Sequence, residues 1–526
     1  MTNDPISPAD AREAVRAVAA HGNQCAAARA LAVSRGWIQR RLKAAEAMGI
    51  TAEGEVDPTR IPRLDAPAGG VARYLLTAAQ SATRVHPEFW RNLTAFADHV
   101  DARIMVARLR YNHSRQQAAS EKTNGAPASG DWYAPEVLPY LADHRVEIAP
   151  GLIWAGDFNV IPTAGNPLSG LDSFGGLASV VIPHTQIALR SVATHKADPV
   201  KINYTTGAVT LANYIQRTAG KKAEFHHAFG ALLVEVDAAG DWFCRQINAD
   251  ASGAFYDLDR HATGGEVTGG HQPEAFTAGD LHGEAADPEV LAGVWGAGGL
   301  VDTLRPRAQV FHDVLNFGRR SHHLSLEDRL RFHALATESV EGEIAATAGV
   351  LCAVARPWAG SFVVKANHDE HFDRWIREAD WRSDPVNAVF YLEAAAKWAR
   401  AKRDGEDFDL AEWALKRAGA PEGVTFLRRD ESLSFAGVDH SGHGDLGPNG
   451  ARGTAANIAR TGRKTVIGHG HGANIVQGAM QVGVSCRLDM GYNRGPSNWS
   501  HSHALTYPNG KRVLLTQRGR KWRAAA

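Results

Sequence analysis

Along residues 9–47 the apolar positions recur at three- and four-residue intervals, the period of an amphipathic helix. PADAREAVRAVAAHG is followed by NQCAAARALAVSRGWIQRRLKAAEAMG, with small residues at Ala27 and Ala28 and a turn ending at Val33-Ser34. Ile38 and Leu42 then continue the apolar face, and Ser34 is placed to cap that helix. Residues 51–71 open with TAEGEVDPTRIPRLDAPAGG, whose prolines and weak periodicity predict a linker. From residue 72 the pattern predicts strand, helix and strand in RYLLTAAQ, HPEFWRNLTAFADHV and ARIMVARL, a βαβ unit. The polar stretch SRQQAASEKTNGAPASGD predicts a mobile loop. GALLVEVDAAGDWFCRQINAD predicts a hairpin turning at AAGD, and SHALTYPNGKRVLLTQRGRKWR one turning at Pro-Asn-Gly.

These elements predict an α/β protein in four pieces: a helical domain over 1–50, a linker over 51–71, an α/β accessory domain over 72–265 and a catalytic domain over 266–526. Within the accessory segment Tyr204, His226 and His227 stand alone, and isolated polar residues of this kind are more often structural. The first helices resemble a helix-turn-helix of the resolvase or repressor type, whose second helix would present Arg35, Gln39, Arg40 and Lys43 to DNA. Residues 1–50 hold seven Arg and Lys against four Asp and Glu, so that segment is locally positive. The plainer reading is a small helical cap that binds another protein.

Composition changes this picture in two places. Lys plus Arg and Asp plus Glu both number 57, so any nucleic-acid surface must be local. The four cysteines lie far apart with no C-x-x-C pair, which excludes a zinc-finger cluster and fits a reducing cytoplasm. The polar N-terminus is unlike a signal peptide, and no apolar run reaches the length of a membrane span. The 24 histidines point to metal chemistry where their spacing supports it.

Such spacing exists after residue 270. EAFTAGDLHGE places Asp280 and His282 two apart; RAQVFHDVLNF ends an apolar run at His312 and Asp313. GSFVVKANHDEHFDRW ends one at Asn367, His368 and Asp369. DHSGHGDLGPNG contributes His440 and His443, and TVIGHGHG contributes His469 and His471. Each apolar run predicts a short buried strand with polar residues at its C-terminal end, where ligands collect in open α/β sheets. Carboxylate, imidazole and amide oxygen donors suit Mn²⁺, Fe²⁺ or Zn²⁺.

The ordered set of D-x-H, a strand-ending Asp, N-H-D, a His and G-H-x-H resembles that of calcineurin-like metallophosphoesterases, over roughly residues 270–510. That family includes phosphoprotein phosphatases, cyclic-nucleotide phosphodiesterases and nucleases of double-strand-break repair. The resemblance implies a four-layer β-sandwich flanked by helices, and two divalent ions, foremost Mn²⁺ with Mg²⁺, Fe²⁺ or Zn²⁺ as alternatives. It implies that Asp280, His282 and His471 hold one ion and Asn367, His443 and His469 the other, with Asp313 bridging. His440 is the alternative to His443, and Asp302 to Asp313. His368 would protonate the leaving oxygen, oriented by Asp369, while metal-activated water attacks phosphorus. Two departures are His312 before Asp313, and Ala-Asn-His-Asp in the third motif. Arg319, Arg320, His322 and His323 are placed to contact phosphate or simply to start a solvated helix.

The expected substrate is DNA, from the helix-turn-helix and the basic C-terminus (Arg512, Arg518, Arg520, Lys521, Arg523). The build is also similar to phage-encoded DNA-degradation proteins, which would place it in a host cytoplasm. The alternatives are a phosphomonoesterase or nucleotide phosphatase, and a DNA-binding assembly protein with a structural metal. Family nucleases often dimerise, so a homo-oligomer is expected, with no membrane partner.

Overall fold

The computed structural model describes residues 6–48, 50, 61–111 and 132–524. The expected loop over 114–131 and the first ten residues of the expected linker lie outside them. Residues 61–64 run beside Glu147, whose backbone exchanges hydrogen bonds with Pro62 O (2.8 Å) and Leu64 N (2.9 Å).

Three helices, Pro8–His21, Gln24–Ala30 and Arg35–Ala47, open the chain. Ser7, Asn23 and Ser34 cap them, each accepting a backbone N–H from its helix's first turn. Ala14, Ala27, Ala28 and Ile38 form their own small core. Arg35, Gln39, Arg40 and Lys43 are all exposed on the third helix.

The strands follow in chain order. β1 (Val71–Gln80), the helix Pro87–Val100 and β2 (Ala102–Leu109) form the expected βαβ unit, β1 and β2 pairing in parallel. Next come β3 (Arg145–Ala149), β4 (Leu152–Ala155), β5 (Ser179–Ile182), β6 (Leu189–Val192) and β7 (Lys201–Thr205). β8 (Gly230–Asp237) and β9 (Trp242–Asn248) make the expected hairpin. Its turn is closed by Asp237 Oδ1, which accepts from the N–H groups of Ala239 and Asp241 at 3.0 Å each. β10 (Phe255–Asp257), β11 (Arg260–Thr263) and β12 (Glu266–Thr268) are short. β13 (Ala275–Thr277), β14 (Ala308–Phe311), β15 (Gly360–Val363) and β16 (Val424–Phe426) are joined by helical crossovers. β17 (Ser434–Phe435), β18 (Val438–Asp439), β19 (Thr465–Ile467), β20 (Asn474–Val476) and β21 (Ala479–Gln481) precede the final hairpin, β22 (Ser502–Thr506) and β23 (Arg512–Thr516).

The result is a mixed α/β architecture of several sheets flanked by helices. Four strands run β2-β1-β8-β9 and three run β10-β11-β12. Six run β16-β15-β14-β13-β22-β23 and ten run β17-β18-β19-β21-β20-β6-β7-β5-β4-β3. The ten-stranded sheet takes strands from both sides of residue 265, joined where β20 pairs antiparallel with β6 (Asn474↔Arg190).

β13 to β16 pair in parallel, which demands crossovers and buries both faces. Phe276, Phe311, Val363 and Val424 meet Val294, Ile344, Leu351 and Trp375 of the covering helices. A second core joins the three larger sheets through Leu76, Leu232, Trp154, Val466, Met480, Ala504 and Leu514. Each Val, Leu, Ile, Phe or Met among them stabilises the fold by about 1.5–3 kcal/mol on burial. No helix among the described residues is long and apolar enough to cross a membrane.

Candidate metal centre

Five strand ends converge. Just past β13 lie Asp280 and His282, past β14 Asp313, past β15 Asn367, past β18 His443, and past β19 His469 and His471. Four of these, His282 (φ 44°), Asp313 (φ 44°), His469 (φ 68°) and His471 (φ 57°), adopt the left-handed backbone region. Non-glycine residues there cost on the order of 1–3 kcal/mol each and persist where the surrounding structure fixes them.

Asp280, His282, Asp313 and His471 offer donor atoms that all lie within 4.8 Å of one another. His471 Nε2 is 3.3 Å from Asp280 Oδ2 and 3.3 Å from His282 Nε2. Asp313 Oδ2 lies 3.9 Å from His282 Nε2 on one side and 3.1 Å from His443 Nε2 on the other. Beyond His443 the ring of His469 follows at 5.3 Å between centroids, and its Nδ1 is 3.2 Å from Asn367 Oδ1. Asp313 thus stands between two groups of donors.

Asp280, His282, Asp313 and His443 are buried, and Asp280 Oδ1, His282 Nδ1 and Asp313 Oδ1 have no hydrogen-bond partner. An unsatisfied buried polar group costs about 1–3 kcal/mol, and a cation among these carboxylates would offset that cost. Burial lowers the His282 pKa to about 3, which keeps the ring neutral and able to ligate. Burial also opposes a charged His443, but the attraction and hydrogen bond of Asp313 outweigh it and push that pKa up to about 9. Without metal, the His443 proton is the positive charge facing Asp313.

The loop around His469 is shaped for Asp280. The His469 N–H donates to Asp280 Oδ2 at 2.8 Å. A Cβ on Gly468 would fall 2.1 Å from Asp280 Oδ1 and 3.0 Å from His312 Cβ. Gly468→Ala is therefore expected to weaken divalent-metal binding by about 10–100-fold, the usual cost of disturbing a ligand's support. Isothermal titration checks this, and unchanged affinity would show that Asp280 tolerates displacement.

Other expected residues lie elsewhere. His440 is buried outside the cluster, its Nδ1 3.0 Å from Thr277 Oγ1 and its Nε2 3.1 Å from Thr506 Oγ1. Asp302 accepts from Arg356 Nε at 2.8 Å. His368 is at the centre, its ring 4.8 Å from that of His282. It is not held by Asp369: its Nδ1 is 2.6 Å from the Asn316 carbonyl oxygen, whereas Asp369 Oδ2 accepts from Ala366 N–H at 3.0 Å. The physical reason is helical. Asp369 lies in the first turn of Asn367–Glu378 and folds back onto the free N–H before it. Arg320 is committed to Asp384 at 2.6 and 2.8 Å. The C-terminal basic residues also have partners within the fold, while Arg518, Arg520 and Arg523 stay exposed. Arg512 donates to Thr465 O and Gly478 O, Arg520 pairs with Glu289, Lys521 pairs with Asp237 and Asp241, and Arg518 stacks on Trp242. His227 lies between Tyr214 Oη and Thr210 O at 2.8 Å each, and Tyr204 is fully buried.

Two contributors, Glu284 and Glu343, were not singled out from sequence. Asn316 Nδ2 donates to Glu284 Oε1 at 2.8 Å, and Glu343 accepts from Gly318 N–H (2.6 Å) and Arg319 N–H (3.0 Å). Together Glu284 and Glu343 hold the loop whose carbonyl meets His368. Burial, then the neighbouring Glu284, raises the Glu343 pKa to about 8. His312, with both ring nitrogens unpartnered, packs 5.5 Å from His443. The only local signal for Glu284 was its position directly after D-x-H-G; Glu343 lies far from the motifs in sequence.

No family model matches the chain, and no solved structure matches it. It is similar to Protein A1 of Escherichia phage T5, at 36% identity over 460 residues that span 84% of this chain and 81% of that protein.

Proposed function

The chain belongs to the family of Protein A1 of Escherichia phage T5, and from that premise we propose that its buried centre holds two divalent ions and hydrolyses phosphodiester bonds of DNA. The observation that carries this reading is Asp313, buried between two sets of donors with its carboxylate Oδ1 lacking a hydrogen-bond partner. Asp280, His282 and His471 would hold one ion, and Asn367, His443 and His469 the other. The order of these residues and their places at strand ends support a calcineurin-like metallophosphoesterase, with the six- and ten-stranded sheets as the inner layers of a four-layer sandwich.

When bound, two such ions, foremost Mn²⁺ for these mixed oxygen and nitrogen donors, neutralise phosphoryl charge and acidify water. The chain's own residues do the rest. The Asn316 carbonyl oxygen accepts a hydrogen bond from His368 Nδ1–H, which leaves Nε2 as the nitrogen that would donate a proton to the leaving oxygen. Trp499 stands edge-on to the His471 ring at 4.2 Å and fixes its plane. His443 would hold an ion as the neutral imidazole, because only that form ligates.

DNA as substrate is supported by the third helix. Arg35, Arg40 and Lys43 are exposed there, without an ion pair among the described residues. The test is digestion of linear, circular and single-stranded DNA beside a simple phosphomonoester, with Mn²⁺ and with chelator. Metal-dependent DNA cleavage is expected. Cleavage of the phosphomonoester alone would make the protein a phosphatase, and DNA binding without hydrolysis an assembly protein. Removing residues 1–50 is expected to weaken DNA binding and to flatten its salt dependence, by up to about 3 in logarithmic slope for three phosphate contacts. Metal content should stay unchanged, since those helices have their own core.

A further inference from the structure

A second histidine cluster lies outside the buried centre. His322 and His323 occupy the loop after β14, and His371 the first turns of the helix Asn367–Glu378. One ring nitrogen from each lies within 4.8 Å of the others. The ring centroids are 3.8 Å apart for His322 and His323, 4.8 Å for His322 and His371, and 5.6 Å for His323 and His371. His371 Nδ1 is buried without a hydrogen-bond partner, while His322 and His323 are exposed and can adjust.

We propose that His322, His323 and His371 form a third metal site, for a borderline transition-metal ion such as Zn²⁺. Three imidazoles with no carboxylate or thiolate select zinc, nickel or copper over Mg²⁺, Ca²⁺ or Mn²⁺. A tetrahedral ion at about 2.0–2.1 Å from each nitrogen asks for nitrogens about 3.4 Å apart. The two loop histidines need close by only about an ångström, and the fourth position stays open to solvent or an anion. The nearby Arg374 does not oppose an ion strongly, since its Nε donates to Glu378 at 2.7 Å. Burial, and then the neighbouring imidazoles, lower the His371 pKa to about 3, so the ring is in its ligating form at neutral pH.

The experiment is equilibrium dialysis of the full chain against Zn²⁺, with bound metal measured by mass spectrometry. It compares the parent, His322→Ala/His323→Ala, Asp280→Asn and the triple variant. The double variant is expected to bind one equivalent fewer than the parent at the same free Zn²⁺. Asp280→Asn is expected to keep that equivalent, and the triple variant to lose it. Co²⁺ should give the parent and Asp280→Asn a visible tetrahedral absorption that is absent from the triple variant. Equal stoichiometry in parent and double variant would overturn the site. Failure of Asp280→Asn to lose metal would instead count against the buried centre, so the two outcomes are separable. His322 and His323 are exposed, and thermal unfolding of the double variant should match the metal-free parent.

Discussion

Asp280→Asn is expected to abolish metal-dependent hydrolysis and to lose the metal-induced rise in unfolding temperature of the parent chain. Both effects have one cause. Asp280 is buried, with Oδ1 unpartnered and Asp313 nearby. Burial opposes the Asp280 charge, but His471 and His443 outweigh it, and Oδ2 accepts the His469 N–H at 2.8 Å, which leaves Oδ1 for a cation. The amide keeps the shape and removes the charge that a cation requires. Metal affinity should fall by more than the roughly 10–100-fold that a supporting residue costs. At a hundredfold excess of metal over Kd the parent gains about 2.7 kcal/mol per site, and the variant close to none at the site it loses. Scanning calorimetry with and without Mn²⁺, beside a DNA cleavage assay, reads both. Full activity with the metal-induced shift intact would remove Asp280 from the centre.

Arg245→Met is expected to lower stability by about 3–5 kcal/mol while leaving the metal centre in place. Arg245 is 2% exposed, and its guanidinium reaches Glu235 at 2.7 Å and Asp257 at 2.7 and 3.0 Å. Its removal leaves two buried carboxylates, with only Arg73 to share Glu235 at 3.1 Å. Burial alone would raise the Glu235 pKa, but Arg245 outweighs it and holds the group down to about 2. A depressed carboxyl stabilises the fold above its unfolded value of about 4.5, and that stability is lost as pH falls through about 2. The parent should therefore lose this contribution between about pH 4.5 and pH 2, and the gap between parent and variant should narrow over the same window. Denaturant titrations at several pH values measure it. A gap that stays constant or widens on acidification would contradict the assigned charge state.

What could be read in the sequence was local. The Ser34 cap, the β8-β9 and β22-β23 turns and the runs ending at Asp280, Asp313 and Asn367 depend on neighbours a few residues away. The convergence of D-x-H, Asp, N-H-D and G-H-x-H was legible through its order. The support of His368 was not, because a backbone carbonyl leaves no mark on residue identity: Asp369 lay next in sequence, Asn316 next in space. The pairing of the basic C-terminus was hidden for a related reason. Sequence counts cations, and only the structure reveals Glu289, Asp237, Asp241 and the carbonyls that take them up. The junction of β6 with β20 was likewise hidden, since its partners share no local pattern.

That junction bears on how the protein is made. As the chain leaves the ribosome, β6 has β7 on one side and nothing on the other until residues around 474 have been synthesised. For most of translation the nascent protein carries an open strand edge beside an unfinished apolar core, a state prone to pair with another chain. Fragments ending near residue 265 should aggregate, slow translation of the second half should lower soluble yield, and chaperone demand should fall once β20 arrives.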